Sequence, residues 1–275
     1  MAFIDVNDAR IYIEDSGVPS GRPSAESVVF GHGVLFSGRS FAAQVARLRD
    51  RYRCVTIDWR GQGRSPAAES GYDMDTLTQD VVRVIDVLRL GAVHYVGLSM
   101  GGFVGMRLAA RRPDLVRSLM LLDTSAGPED PASAARYRLL ARIYRLFGMK
   151  PVRSRVEPIL FSPTSLADRR LRVEIDAWLE QLGSTDRVGT KKAIYGVIDR
   201  LPIVGELDRI VAPTLVVVGA DDVATPLRES KELVARIAGA RLAIVPDAGH
   251  SSSIEQPEAV ADLIEQFIRR LSSTA

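Results

Sequence analysis

The sequence has 275 residues, 46% of them hydrophobic and 25% charged, with a formal net charge of +2. Those values exclude a disordered, collagen-like or coiled-coil chain, and a chain of this length buries roughly three-quarters of the surface it exposes when unfolded. The single cysteine, Cys54, excludes an internal disulfide or a Cys-rich metal cluster, and a near-neutral balance without basic clusters among aromatics gives no nucleic-acid signal.

In chain order, residues 1–8 carry no basic segment followed by an apolar one, so a secretory leader is not expected. No apolar run approaches the ~18 residues of a membrane-spanning helix. A cytoplasmic protein with no membrane partner is the expectation. Candidate strands follow at residues 11–13, 28–30, 55–57 and 95–98, then at 119–122, 215–218 and 242–245. Several are continuous apolar runs, as expected of strands covered on both faces of a parallel sheet. Between the third and fourth, Leu77, Val81, Val84, Ile85 and Leu88 share one face of a helical stretch. The alternation predicts an α/β chain: a mostly parallel central sheet with helices on both faces. In such sheets function gathers in loops beyond the carboxyl ends of the strands.

The rhythm breaks from about residue 127 to 209, where no strand candidate occurs. Ser133 is placed to cap a helix in which Tyr137, Leu140, Tyr144 and Phe147 share a face, and further helical stretches run near 167–182 and 191–199. Pro128, Pro131, Pro151, Pro158 and Pro163 punctuate the first half. The expected organisation is a core of residues 1–126 and 210–275, with 127–209 a helical cap inserted over the sheet's carboxyl edge. Residues 128–209 carry 15 Lys and Arg against 11 Asp and Glu. A solvated helical surface explains that excess; facing a pocket, it would favour acidic substrates.

The strongest chemical signal is Gly97-Leu98-Ser99-Met100-Gly101-Gly102, between a candidate strand and a helical stretch through Val104, Leu108 and Ala109. Gly-x-Ser-x-Gly at a strand-to-helix junction is a nucleophile elbow: the serine needs a tight turn, and flanking glycines remove the Cβ atoms that would clash there. Ser99 would also sit at a helix N-terminus, which favours developing negative charge. Its base must come from three histidines. His250 follows the last candidate strand and can reach the sheet edge. His32 lies in an early loop. His94 begins the strand that leads to Ser99 and so lies at the opposite end of the sheet, in a structural role. The base itself needs an acid, and Gly219-Ala220-Asp221-Asp222 supplies two that residue chemistry does not separate, with Asp123 a third candidate. Cys54, in a strand, reads as an inert core thiol, and no spacing of metal-ligand type occurs.

These motifs together resemble the α/β-hydrolase superfamily over nearly the whole chain, which implies the α/β-hydrolase fold with a helical cap. The family's early His-Gly loop appears as His32-Gly33-Val34, and its D-x-R-G-x-G-x-S turn as Asp58-Trp59-Arg60-Gly61-Gln62-Gly63-Arg64-Ser65. The elbow, the late aspartate loop and Gly249-His250 followed by Glu255-Gln256-Pro257 complete the set. In similar members with G-x-x-D-x-x-x-P the fourth residue is the acid, which selects Asp222. By the same mapping the oxyanion hole is formed by the backbone N–H groups of Val34 and Met100, while His32 and the turn at 58–65 fix loops. Trp178, in the insertion, would line the substrate pocket or pack helices.

The resemblance implies a serine hydrolase acting on a small-molecule carboxylic ester or lactone, with Ser99, His250 and Asp222 as its triad and no cofactor or metal. The chain is similar to 3-oxoadipate enol-lactonases and small bacterial carboxylesterases, with cofactor-free haloperoxidases and perhydrolases close to the same pattern. C–C bond hydrolases share the triad but often carry H-G-x-G-P-G where this chain has His32-Gly33-Val34-Leu35-Phe36-Ser37. A serine at the elbow departs from haloalkane dehalogenases and epoxide hydrolases, which use aspartate. A small-molecule receptor with little turnover is the alternative outside enzymology.

Overall fold

Each of the seven candidate strands falls inside an observed one, and an eighth precedes them. A computed structural model describes residues 2–272. In order, the elements are β1 (Ala2–Val6), β2 (Ala9–Asp15), β3 (Ser27–Gly31), α1 (Ala42–Leu48), β4 (Arg53–Ile57), α2 (Met74–Leu88), β5 (Val93–Leu98), α3 (Met100–Arg111) and β6 (Val116–Leu122). Five helices come next: α4 (Pro131–Phe147), α5 (Arg153–Leu160), α6 (Pro163–Ala167), α7 (Arg169–Ser184) and α8 (Arg187–Ile198). The chain closes with β7 (Thr214–Gly219), α9 (Leu227–Arg236), β8 (Arg241–Val245), α10 (Ser252–Glu255) and α11 (Pro257–Ser272).

The strands form one sheet in the order β1-β2-β4-β3-β5-β6-β7-β8. The six from β3 to β8 run parallel to one another, while β2 pairs antiparallel with both β1 and β4. The unexpected strand β1 exposes Ala2, Phe3 and Asp5 and buries only Ile4 and Val6. It owes its place to the tight turn at Asn7, whose φ of +45° suits a short polar side chain, and to the β2 edge that it covers.

Alternate residues of the parallel strands feed two cores. Val29, Val55, Tyr95, Leu121 and Val216 face the side covered by α2 and α3; Val28, Phe30, Val96, Leu98, Met120 and Val217 face the side covered by α1 and α11. Burial on both faces is why these strands read as unbroken apolar runs. Cys54 belongs to the second core, and burial pushes its thiol up to about 12.

Between β6 and β7 the chain is helical throughout, with no strand among the described residues. The start of α4 differs from the Ser133 cap expected from sequence. Asp130 accepts from the Ser133 N–H at 2.9 Å, and Pro131 takes the first helical position, where its missing N–H costs nothing. Tyr144 is buried as anticipated, but Phe147, expected on the same face, is 69% exposed at the helix end.

Chain direction places the site. From β3, the chain passes to β4 on one side and then to β5 on the other, so a crevice opens beyond the carboxyl ends of β3 and β5, where open α/β sheets bind ligands. His32 follows β3, Ser99 follows β5, Asp123 follows β6, Asp222 lies in the loop after β7 and His250 in the loop after β8. His94, by contrast, sits at the amino end of β5, where its ring is held by Ser118 Oγ at 2.7 Å and Glu26 Oε2 at 3.1 Å.

Candidate active site

Ser99 occupies a backbone conformation that side chains rarely adopt, φ +51° and ψ −110°, between the last residue of β5 and the first of α3. Strain of this kind costs about 1–3 kcal/mol and persists only where neighbours impose it. The neighbours are visible. The Ser99 N–H donates to Leu122 O at 2.9 Å, and the Ser99 carbonyl accepts from Thr124 Oγ1 and Gly102 N, both at 2.8 Å. The two glycines of the motif are demanded by close approach: a Cβ on Gly97 would lie 2.3 Å from Gly101 O, and one on Gly101 would lie 1.9 Å from Gly31 O. The turn thus presses against β3 and projects the Ser99 hydroxyl into the crevice.

His250 Nε2 lies 2.9 Å from Ser99 Oγ, and its Nδ1 lies 3.0 Å from Asp222 Oδ2 and 3.2 Å from Oδ1. All three side chains are buried. Asp222 is held in turn by the Ala224 and Thr225 N–H groups at 2.8 and 3.0 Å and by Thr225 Oγ1 at 2.7 Å. Burial would raise the Asp222 carboxyl, but His250 and these donors outweigh it and keep it below the usual aspartate value. For His250 burial works the other way, and the Asp222 carboxylate overrides it, with smaller help from Asp123 and Glu255, raising the imidazole to about 9. Asp221 is exposed, with its N–H donated to Ala248 O.

Asp123 is also fully buried, and burial together with the Asp222 charge pushes its carboxyl up. No hydrogen bond joins it to His250 among the described contacts. Its Oδ1 accepts from the Gly219 N–H at 2.8 Å, and its Oδ2 accepts from the Ser252 N–H at 3.3 Å and the Ser252 hydroxyl. One carboxylate therefore ties the end of β7, which leads to Asp222, to the segment after His250. Glu255 does similar work: its Oε1 accepts from the Gly249 and Ser251 N–H groups, and its Oε2 from Ser162 N–H at 2.7 Å in the helical segment above. In the sequence Glu255 is visible only as part of a motif, and Thr225 only as a position in the aspartate loop.

His32 is buried and neutral, its pKa lowered to about 3 by burial. Its Nδ1 lies 2.6 Å from Gly33 O while its Nε2 accepts from the Trp59 N–H at 3.1 Å, so it pins the loop that delivers Val34. The turn at 58–65 is similarly self-contained: Asp58 accepts from the Gly38 and Arg64 N–H groups, and Arg60 makes a fully buried ion pair with Asp80. Val34 lines the crevice beside Ser99 and His250. Met100 opens α3, where the first N–H groups have no partner within the helix.

Above Ser99 lies a pocket with about 870 Å³ of empty space, its open mouth included. Leu140, Ala141, Tyr144, Val156, Ile159, Ile194 and Val197 of α4, α5 and α8 form most of its roof, and Phe103 and Thr225 part of its floor. Trp178 is not among the lining residues. Its ring packs edge-on against Phe36 at 5.5 Å, with the Arg39 guanidinium 5.7 Å above, and borders a separate small cavity. The substrate-lining expectation for Trp178 gives way to the packing one. Among the described residues no group of three His, Cys, Asp or Glu side chains could hold a metal ion, and no helix is long and apolar enough to cross a membrane.

Comparison with known proteins agrees with this architecture. The chain is similar to 3-oxoadipate enol-lactonase 2 of Acinetobacter baylyi, 26% identical over 252 residues that cover 92% of each chain. Its structure is similar to the enol-lactonase from Burkholderia xenovorans, with a TM-score of 0.89 at 28% identity over 98% of this chain and 100% of that one. It is also similar to a thermophilic esterase from Thermogutta terrifontis, with a TM-score of 0.89 at 26% identity over 98% and 99% of the two chains. A profile of the alpha/beta hydrolase family matches residues 28–263. With that match spanning most of its length, the chain belongs to the alpha/beta hydrolase family.

Proposed function

We propose that this protein is a serine hydrolase that cleaves carboxylic esters or lactones through an acyl-enzyme. The observation that carries the proposal is the unbroken relay from Ser99 Oγ through the His250 ring to Asp222, set on a strained turn at the floor of an apolar pocket. His250 Nε2 takes the hydroxyl proton as Ser99 Oγ attacks the carbonyl carbon. Asp222 holds the imidazole with Nδ1–H facing it and stabilises the imidazolium that forms. The oxyanion meets the N–H groups of Met100 and Val34; losing one such donor typically costs about 3 kcal/mol of barrier. His250 then passes its proton to the departing alkoxide, which in a lactone stays tethered to the acyl group. A water attacks the acyl-enzyme by the same route and releases the acid. The helices α4 to α8 act as a cap that keeps bulk water from the ester. The enol-lactonases and the esterase it resembles support esters and lactones as substrates, and the putative carbamate hydrolases it also resembles act on a related acyl bond.

A fluorophosphonate tests the proposal directly. It should label Ser99 in the wild type, and His250→Ala should slow labelling by about 10²–10⁴-fold, the usual contribution of a positioned base. Equal labelling of both proteins would remove His250 as the activator.

The pH profile carries a second expectation. Protonated His250 cannot accept the Ser99 proton, so kcat/KM should rise with pH as the free base accumulates. Asp222 raises the imidazole above its ordinary 6.5, to about 9, so the midpoint of that rise in the free enzyme should lie on the alkaline side of 6.5. A profile that is already flat by about pH 6, with chemistry rate-limiting, is the contrary result.

A further inference from the structure

The pocket above Ser99 contains one ion pair, and its arrangement bears on substrate charge. Arg200, two residues past the end of α8, is the single lysine or arginine among the described lining residues, and Glu129, in the loop before α4, is the single carboxylate. Arg200 Nη1 donates to Glu129 Oε2 at 2.7 Å, with both side chains largely buried, at 5% and 14% exposure. Three more of its N–H donors go to Gly127 O at 3.1 Å, Val197 O at 2.9 Å and Ser125 Oγ at 3.4 Å, and its guanidinium stacks 4.3 Å over the Phe103 ring. A second carboxylate, Glu229, stands close enough to Arg200 and Glu129 to feel both; its own burial and the Glu129 charge hold it above the usual glutamate range.

The cationic excess of residues 128–209 lies elsewhere. Arg136, Arg142 and Arg145 of α4 are exposed, and Arg153 and Arg172 are paired with Glu157 and Asp176 outside the pocket. A carboxylate entering this pocket would leave water for walls of valine, leucine and isoleucine, and the one guanidinium there is already matched. An uncompensated charge in such surroundings is costly, and Glu129 would add repulsion.

We infer that Glu129 determines substrate class: by neutralising Arg200, it makes the pocket accept neutral, apolar acyl or alcohol groups and reject carboxylate-bearing ones. This selectivity rests on the ester or lactone hydrolysis proposed above. Without Glu129 the same Arg200 would become a free anchor for an anionic substrate, because arginine recognises carboxylates through paired N–H donors.

The test compares matched esters that differ in one charge. On the acyl side they are p-nitrophenyl hexanoate and the p-nitrophenyl monoester of adipic acid; on the alcohol side, phenyl hexanoate and para-carboxyphenyl hexanoate. Wild type should favour the neutral member of at least one pair by about tenfold or more in kcat/KM. Glu129→Gln should narrow that ratio by raising kcat/KM for the charged member, and Arg200→Gln should widen it by leaving Glu129 unopposed. Measuring ratios within each protein removes any loss of folded enzyme from the comparison. Equal or better turnover of both charged esters by wild type overturns the inference, as does a ratio that neither variant shifts. If wild type hydrolyses none of the four esters and Ser99 resists fluorophosphonate, ester hydrolysis itself fails and the selectivity falls with it; labelling with reversed selectivity leaves hydrolysis standing and sinks only the role of Glu129.

Discussion

Replacing Ser99 with alanine is expected to lower kcat for a short-chain p-nitrophenyl ester by about 10⁴-fold or more, while the protein stays folded. The two halves of that expectation have separate physical grounds. In the proposed mechanism the hydroxyl is the group that bonds to the acyl carbon, and no other hydroxyl stands within hydrogen-bond reach of His250 Nε2 among the described contacts. Structurally, the alanine gives up one hydrogen bond, worth about 0.5–1.5 kcal/mol, and keeps every backbone contact of the turn, including those to Leu122, Thr124 and Gly102. A thermal melt within a few degrees of wild type, beside lost activity, is the expected pairing. Turnover in the alanine variant equal to wild type would exclude a Ser99 nucleophile. Undetectable turnover in wild type, with tight binding of a small apolar ligand in both proteins, would favour the receptor alternative.

What could be read from the sequence was local. A Gly-x-Ser-x-Gly between an apolar run and a helical stretch marks its own turn, and Gly97 is required by a contact inside the motif, with Gly101 O. The parallel strands announced themselves because both faces of β5, β6 and β7 are covered, leaving unbroken apolar runs. By the same logic β1 escaped notice: an edge strand that buries two residues in five has little periodicity to show. Sequence alone does not separate Asp130 from Ser133 as the cap of α4, because both are good capping residues and only backbone geometry distinguishes them.

The contacts that shape the site were beyond reach for a different reason. Glu129 meets Arg200 across 71 positions, and Asp123 meets Gly219 and Ser252 across 96 and 129. No spacing rule links such pairs, since they depend on how the helices between β6 and β7 settle over the sheet and how three strand-end loops converge. Trp178 shows the same limit from the other side. Its residue type suited a substrate pocket, yet the neighbouring Phe36 packs edge-on against it and the Arg39 guanidinium lies over its ring. The cationic excess of the inserted helices was likewise a property of composition, and only side-chain positions reveal that Arg136, Arg142 and Arg145 are exposed while Arg153 and Arg172 pair with Glu157 and Asp176.

The aspartates offer the second large effect, because three of them lie near the histidine loop in three different settings. Asp222→Asn should lower kcat by about 10³–10⁴-fold. The amide either turns its NH2 toward His250 Nδ1, which favours the ring tautomer that presents Nε2–H to Ser99, or turns its oxygen there and offers no charge for the imidazolium. Asp221→Asn, on an exposed side chain, should stay within about twofold of wild type, as surface changes of this kind alter energies by roughly 0.5 kcal/mol or less. Asp123→Asn should act mainly on stability. Both Asp123 oxygens accept from N–H or O–H donors of Gly219 and Ser252, so an amide NH2 must face a donor on one side, a buried mismatch worth about 1–3 kcal/mol. Its melting temperature should therefore fall further than that of Asp221→Asn, and its kcat should drop far less than that of Asp222→Asn, since Asp123 reaches His250 only through space. Melting curves and kcat on one neutral ester across the three variants decide the matter. A larger kcat loss in Asp123→Asn than in Asp222→Asn would move the acid to the end of β6, and a larger loss in Asp221→Asn would overturn the loop assignment altogether.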